Sequence, residues 1–207
     1  MTVPGLIISG LRGGSGKTIL SLSIISYLNI KKGLRVIPFK KGPDYIDAGW
    51  LSLVAGNPCY NLDSYLIPPE RLVESFILHS TGDISIVEGN RGIHDGMDSE
   101  GTHSTARLSK LLGLPVILII DCTKTTRTAA ALVLGAMNLD RDVRIGAVVL
   151  NQVFGKRHES VIRQSIERYC GVPVVGAIPR LSYQELPERH MGLIPAHEHS
   201  EKQRVID

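Results

Sequence analysis

The chain has little cysteine, no long apolar run and no block of like charge. Its three cysteines, Cys59, Cys122 and Cys170, lie far apart and form neither a C-x-x-C pair nor a histidine-paired set. That pattern argues against a disulfide framework and against a zinc site. Reduced, buried thiols in a cytoplasmic protein are expected instead. The longest apolar stretch, "PVILII", is far too short to span a bilayer. The N-terminus lacks the charged segment, apolar core and cleavage site of a secretory signal, so no membrane partner is expected. Net charge is only +3, without a clustered basic run, and nucleic acid is not an expected partner. The seven histidines show no metal-ligand spacing; His94 and His103 read as loop residues. No internal repeat or low-complexity tract is present.

What remains is a chain of 207 residues, 43% hydrophobic and 21% charged, large enough to bury a core without staples. Short apolar runs at 5–9, 34–39, 84–89, 115–121, 145–151 and 173–178 read as strands. Their nearly continuous hydrophobicity suits strands covered on both faces. Helical patterns fall between them at about 17–30, 69–79, 103–112, 125–138 and 157–169. Residues 40–66 read as a loop with a short helix. Strand alternating with helix predicts an α/β fold, a doubly wound, mainly parallel sheet with a P-loop. Ligands of such sheets bind beyond the carboxyl ends of the strands, where Gly10–Thr18, Lys40–Asp47, Glu88–Asp95, Asp121 and Asn151 stand. Residues 1–180 are expected to form one domain. The polar tail, 181–207, lacks a clear strand and reads as a linker.

"GLRGGSGKTIL" follows the first strand and opens a helix, the context a phosphate-binding loop needs. Gly13, Gly14, Ser15 and Gly16 let backbone N–H groups converge on phosphate oxygens, aided by the helix N-terminus. Lys17 would reach the outer phosphates, and the Thr18 hydroxyl would face magnesium. The spelling is unusual, because Leu11 stands where G-x-x-x-x-G-K-[ST] needs glycine. Two versions of the loop are similar. In partitioning-type ATPases it reads K-G-G-x-G-K-[ST], and Arg12 replaces the lysine. In dethiobiotin synthetase and its relatives five residues separate the two glycines, as between Gly10 and Gly16.

"FKKGPDYIDAGW" follows the second strand and gathers two lysines, two carboxylates and a tyrosine. If the phosphoryl acceptor is itself a carboxylate, its approach to a triphosphate needs positive charge. Lys40 or Lys41 could supply it, and Asp44 could hold magnesium. This segment, with Asn61-Leu62-Asp63, resembles the F-K-x-G-P-D-Y-I-D and N-L-D motifs of the cobyrinic acid a,c-diamide synthase family. "VEGNRGIHDGMDSEGTHSTARLSKLLGLPVILIID" is similar to that family's V-E-G-x-x-G-L-Y-D-G, S-T-A and L-G-x-P-V motifs. "VVLNQV" and "ELPERHMGLIPAHE" continue the match to about residue 198.

The resemblance implies an ATP-dependent amide ligase acting on a tetrapyrrole polycarboxylate. ATP phosphorylates a peripheral carboxylate, and ammonia displaces the phosphate. Lys17, Lys40, Asp44 and Glu88 would be the catalytic group, with Lys40 matching the family's F-K. Thr18, Asp44 and Glu88 would hold Mg2+. Arg12, Gly13, Gly14, Ser15, Gly16, Lys17 and Thr18 would bind ATP phosphates, and Asn151 would read the adenine edge. Tyr45, Asp47, Arg91 and Asp95 would line the macrocycle or order its loop. His94 and Asn90-Arg91 depart from the family pattern, and this loop should face the substrate.

Family members continue into a glutamine amidotransferase domain that liberates ammonia. The expectation is that this chain is one domain of a longer protein, with a homodimer as a possible assembly. Three other activities stay open at this point: a nickel-sirohydrochlorin a,c-diamide synthase, a dethiobiotin-synthetase-like ligase and a partitioning-type ATPase.

Overall fold

The computed structural model describes residues 4–180, together with the backbone of 188–189 and 192–193. In chain order the elements are β1 (Gly5–Gly10), α1 (Lys17–Ser26, continuing as a π turn over Tyr27–Lys31), β2 (Val36–Lys41) and α2 (Ile46–Ala55). They continue with β3 (Tyr60–Leu62), α3 (Pro69–His79), β4 (Ile84–Gly92), α4 (Thr105–Leu112) and β5 (Val116–Asp121). The series closes with α5 (Thr128–Leu139), β6 (Ile145–Val153), α6 (Gly155–Cys170) and β7 (Val174–Pro179). A seven-stranded sheet runs in the order β3-β2-β4-β1-β5-β6-β7. The pairings β1–β5, β2–β3, β2–β4, β5–β6 and β6–β7 are all parallel. This is the doubly wound α/β architecture that alternating strands and helices predict.

All six expected strands form, each within a few residues of its expected bounds. Two features of 40–66 are more regular than expected. The short helix there is α2, ten residues long, and it is followed by the three-residue strand β3. Three residues carry too little periodicity to announce an edge strand. Glycine sets several helix ends: Gly56, Gly113 and Gly171 take the left-handed conformation after α2, α4 and α6, which closes the last turn without a Cβ clash. Ser104 caps α4 by accepting a hydrogen bond from the Arg107 backbone N–H.

The described residues divide into two compact units, Thr18–Glu88 with residues 4–5, and Leu6–Lys17 with residues 89–180. In the first, Val36, Phe39, Trp50, Leu72 and Val87 are completely buried. Phe39 packs against Phe76 with ring centroids 4.9 Å apart. In the second, Ile7, Ile8, Val116, Leu118, Ile119, Val148, Leu150, Ile162 and Ile166 form the core.

The linker expected over 181–207 lies outside the described residues, apart from a two-residue antiparallel pair, β8 (Glu188–Arg189) and β9 (Gly192–Leu193). This short pair is more regular than the polar composition of the tail predicts. Among the described residues, no helix is long and apolar enough to cross a membrane.

Candidate nucleotide site

The loop between β1 and α1 is shaped by contacts within the unit that contains Leu6–Lys17. Gly10 closes β1 so near Ser15 that a Cβ would lie 2.9 Å from the Ser15 hydroxyl. Gly16 takes φ +93, and a Cβ there would meet the Asn151 side-chain amide at 2.4 Å. That amide donates to the Ser15 carbonyl at 2.9 Å, and its oxygen accepts from the Gln152 backbone N–H. Asn151, expected at the adenine edge, is engaged with the loop backbone.

Lys17 is mostly buried and donates to the Arg12 carbonyl at 3.1 Å and the Arg91 carbonyl at 2.8 Å. Arg91 sits at φ +47, which turns its carbonyl to the lysine and leaves its side chain exposed. The Arg12 guanidinium reaches Asp121 at the end of β5, 2.5 Å away. Burial would raise the Asp121 pKa, but hydrogen bonds from Thr123 and the Arg12 pair outweigh it and hold the carboxyl below its usual range. Asp95 is exposed and accepts from the Gly92 backbone N–H at 2.8 Å, closing a turn.

A second cluster is built wholly within the unit containing Thr18–Glu88. The parallel register of β2 and β4 sets Lys40 opposite Glu88. Lys40 is 2% exposed and Glu88 is 0% exposed. The Lys40 ammonium donates to Glu88 Oε1 at 2.7 Å and to Asp47 Oδ2 at 2.6 Å, and Asp44 Oδ2 lies 3.7 Å away. Thr18 donates its hydroxyl to the same Glu88 oxygen at 2.9 Å. Glu88 Oε2 is buried with no hydrogen-bond partner.

One ammonium therefore faces three carboxylates. Burial alone would lower the Lys40 pKa, yet Glu88 and then Asp47 raise it above 10.5. Asp44 is pushed up, first by burial and then by the charge of Asp47, with Lys40 opposing. Its other oxygen accepts from the backbone N–H groups of Ile46 and Asp47 at the start of α2, which favours a carboxylate or amide there. Tyr45 is largely exposed.

These placements reproduce the setting of a phosphate-binding loop at the N-terminus of a helix, after the first strand of a parallel sheet. The sequence profile of the CobQ/CobB/MinD/ParA nucleotide binding domain, CbiA, matches residues 6–194. This chain belongs to the CbiA family.

Curated relatives agree with that membership. The CbiA-family chain is 45% identical over 197 residues to the cobyrinate a,c-diamide synthase of Magnetococcus marinus, covering 95% of this chain and 42% of that protein. It is 43% identical over 198 residues to the hydrogenobyrinate a,c-diamide synthase of Streptomyces coelicolor, covering 95% of this chain and 40% of that protein. The chain thus spans less than half the length of these relatives. In fold it is similar to chloroplast FtsY from Physcomitrella patens, with a TM-score of 0.58, 16% identity and coverage of 99% of this chain and 64% of that one. FlhF complexed with GMPPNP/Mg(2+) gives a TM-score of 0.56 at 12% identity, covering 86% and 65%.

Several family motifs acquire physical reasons. Asn61 of the N-L-D motif donates to the Gly42 and Asp44 carbonyls at 2.6 and 3.0 Å, so β3 holds the loop that carries Asp44. Gly89 admits Thr105 of the S-T-A motif, whose methyl would lie 2.8 Å from a Cβ. Residues the sequence did not assign to the site include Asn61, and Asp121 as the partner of Arg12. Asparagine within a three-residue edge strand is a weak signal, and Asp121 is visible only as a carboxylate ending a strand. The three thiols are free; burial pushes Cys59 up to about 12 and Cys122 up to about 11, so both stay protonated. Among the described residues, no group of three His, Cys, Asp or Glu side chains is arranged to hold a metal alone.

Gly13 offers a first test. Its added Cβ would meet nothing within 4 Å, so the fold does not require glycine there, and the expected reason for it is close approach of a phosphate to the backbone. Gly13→Ala should leave the melting temperature within about 1 °C, since open surface changes cost little, while weakening nucleotide binding measured by calorimetry. Unchanged affinity would remove Gly13 from the phosphate cradle.

Proposed function

We propose that the chain is the ATP-using part of an enzyme that amidates the a and c side-chain carboxylates of cobyrinic acid or a close corrinoid, in the cytoplasm. The observation that carries this reading is the cluster of Lys40, Asp44, Asp47 and Glu88 in a segment that matches a,c-diamide synthases along nearly the whole chain. A loop that only switched with nucleotide would not need this buried lysine with Glu88 on the neighbouring strand β4 and Asp44 and Asp47 at the start of α2.

The residues present fit magnesium. Glu88 Oε2 is a buried oxygen without a partner, the Thr18 hydroxyl is adjacent, and the cluster has two more carboxylates than ammonium groups. Hard oxygen donors suit this ion, with water and phosphate as further ligands. Thr18, Glu88 and Asp44 would hold it. When bound, it supplies charge neutralisation for in-line phosphoryl transfer.

The chain's own residues position the reactants. Gly13–Gly16 and Lys17 hold the phosphates of ATP, and Arg12 adds charge at the terminal one. Asn151 steadies the loop from Ser15 and offers the adenine contact. Lys40 keeps its proton and faces the transferred group. Tyr45, Asp47, Arg91 and Asp95 order the acceptor.

A carboxylate oxygen of the macrocycle attacks the γ-phosphorus and ADP leaves, giving an acyl phosphate. Ammonia then attacks the acyl carbon, and inorganic phosphate leaves with the former carboxylate oxygen. In this reading a further domain of the whole protein releases that ammonia from glutamine.

The test is nucleotide turnover by this chain with free ammonia. Cobyrinate should stimulate ADP formation and give mono- and diamide masses, whereas DNA and lipid vesicles should not stimulate. Hydrogenobyrinate and nickel sirohydrochlorin run in parallel to define the macrocycle. Stimulation by DNA or lipid, with none by any tetrapyrrole acid, would overturn the reading in favour of a partitioning-type ATPase.

Asp44→Asn separates chemistry from stability. Asparagine preserves the bonds to Ile46 and Asp47 N–H groups. The folded-state pKa of Asp44 lies above 3.8, so its ionisation costs stability as pH rises from 3.8 through the folded value, and the whole cost is present at neutral pH. The variant should therefore melt at an equal or higher temperature at pH 7 and lose its turnover. Wild-type rates in Asp44→Asn would exclude Asp44 from the catalytic group.

A further inference from the structure

We infer that Asp121 is a positioning residue that holds Arg12 in reserve beside the loop, and that the two together set the preference for a nucleoside triphosphate over a diphosphate. The inference rests on the nucleotide-binding reading above and concerns how this chain's own cationic groups become available to phosphate.

The loop's cations are both engaged within the protein. Lys17 is spent on the carbonyls of Arg12 and Arg91. Arg12 is spent on Asp121, whose Oδ2 accepts its Nη2 at 2.5 Å. The Arg12 carbonyl also accepts the Ser15 hydroxyl at 2.7 Å, so its backbone is pinned and Asp121 is the side chain's partner. Arg12 is 69% exposed, and an exposed ion pair of this kind is worth little and exchanges readily.

Asp121 is the better fixed partner. It is 16% exposed, and its other oxygen accepts both the backbone N–H and the hydroxyl of Thr123. The register of β5 and β6 places Asp121 opposite Asn151, which holds the Ser15 carbonyl. Two adjacent strand ends thus each grip one residue of the loop. Asn151 grips the backbone, which all nucleotides need, and Asp121 grips a guanidinium.

A guanidinium matches phosphate as well as carboxylate in geometry. A terminal phosphate brought to the loop therefore competes with Asp121 for Arg12, while a diphosphate leaves Arg12 on Asp121. The competition is a fixed cost on triphosphate binding, and removing Asp121 removes that cost.

The experiment compares dissociation constants of a non-hydrolysable ATP analogue and ADP for the whole chain by calorimetry with magnesium. Asp121→Asn should tighten the analogue by about three- to fivefold, the scale of one exposed pair, with ADP nearly unchanged. Arg12→Gln should weaken the analogue and bring the two affinities together, and Arg12→Gln/Asp121→Asn should behave as Arg12→Gln alone. Equal loss of both nucleotides in Asp121→Asn, or an unchanged affinity ratio in Arg12→Gln, would overturn the inference. Failure of the wild-type chain to bind either nucleotide would instead overturn the nucleotide-binding reading itself.

Discussion

Replacing Lys40 by methionine is expected to cost the fold about 3–5 kcal/mol, the penalty for removing one partner of a buried ion pair. Methionine fills similar volume, so a cavity is not the cause. Glu88 is completely buried and would keep one bond, from the Thr18 hydroxyl, with its charge uncompensated. Asp44 and Asp47 are partly exposed and would recover water. The loss should appear as a lower urea midpoint with an unchanged slope.

Lys40→Met/Glu88→Gln should recover much of it, because no fully buried charge is then left unpaired. The pH behaviour has a definite sign. The Lys40 pKa is raised above its unfolded 10.5, so its stabilisation is fully present below that value and fades only as pH climbs through the folded-state value. The deficit of Lys40→Met should therefore be constant from neutral pH to about pH 9. A variant as stable as wild type would mean that Glu88 is not buried as a carboxylate.

The second large effect is at Gly16. Alanine there must adopt φ +93 and place its Cβ 2.4 Å from the Asn151 amide. A left-handed alanine alone costs roughly 1–2 kcal/mol, and Asn151 can relieve the contact only by giving up the Ser15 carbonyl. Nucleotide affinity of Gly16→Ala should fall at least about tenfold, equivalent to about 1.4 kcal/mol. Adding Asn151→Ala should relieve the contact and not restore binding, since the loop anchor is then absent. Full affinity in Gly16→Ala would show that this loop does not bind phosphate in the conformation seen here.

Much of this was legible in the sequence, for identifiable reasons. The strands are nearly continuous apolar runs, and glycines and lysine cluster after the first of them, so the fold and the phosphate loop follow from periodicity and punctuation. The lysine pair was legible as a pair. Lys40 was preferred over Lys41 only through the family resemblance, and the β2–β4 register now gives that preference a geometry.

Other features depend on tertiary contacts that leave no local signal. The bond from Asn151 to Ser15 joins residues 136 positions apart, and that from Arg12 to Asp121 joins residues 109 apart. Strand β3 is too short to show a period, so the role of Asn61 in holding the Asp44 loop was hidden with it. Arg12 was unexplained by spelling alone, because its partner ends a distant strand.

The central claim is that ATP activates a macrocycle carboxylate, and the fate of one oxygen atom tests it most directly. Cobyrinate carrying a heavy oxygen isotope in its side-chain carboxylates is turned over by the whole protein with ATP and an ammonia source, and the released phosphate is analysed by mass. The account predicts one labelled oxygen in the phosphate for every amide formed, because the carboxylate oxygen leaves with the phosphoryl group. Unlabelled phosphate accompanying amide formation would contradict it.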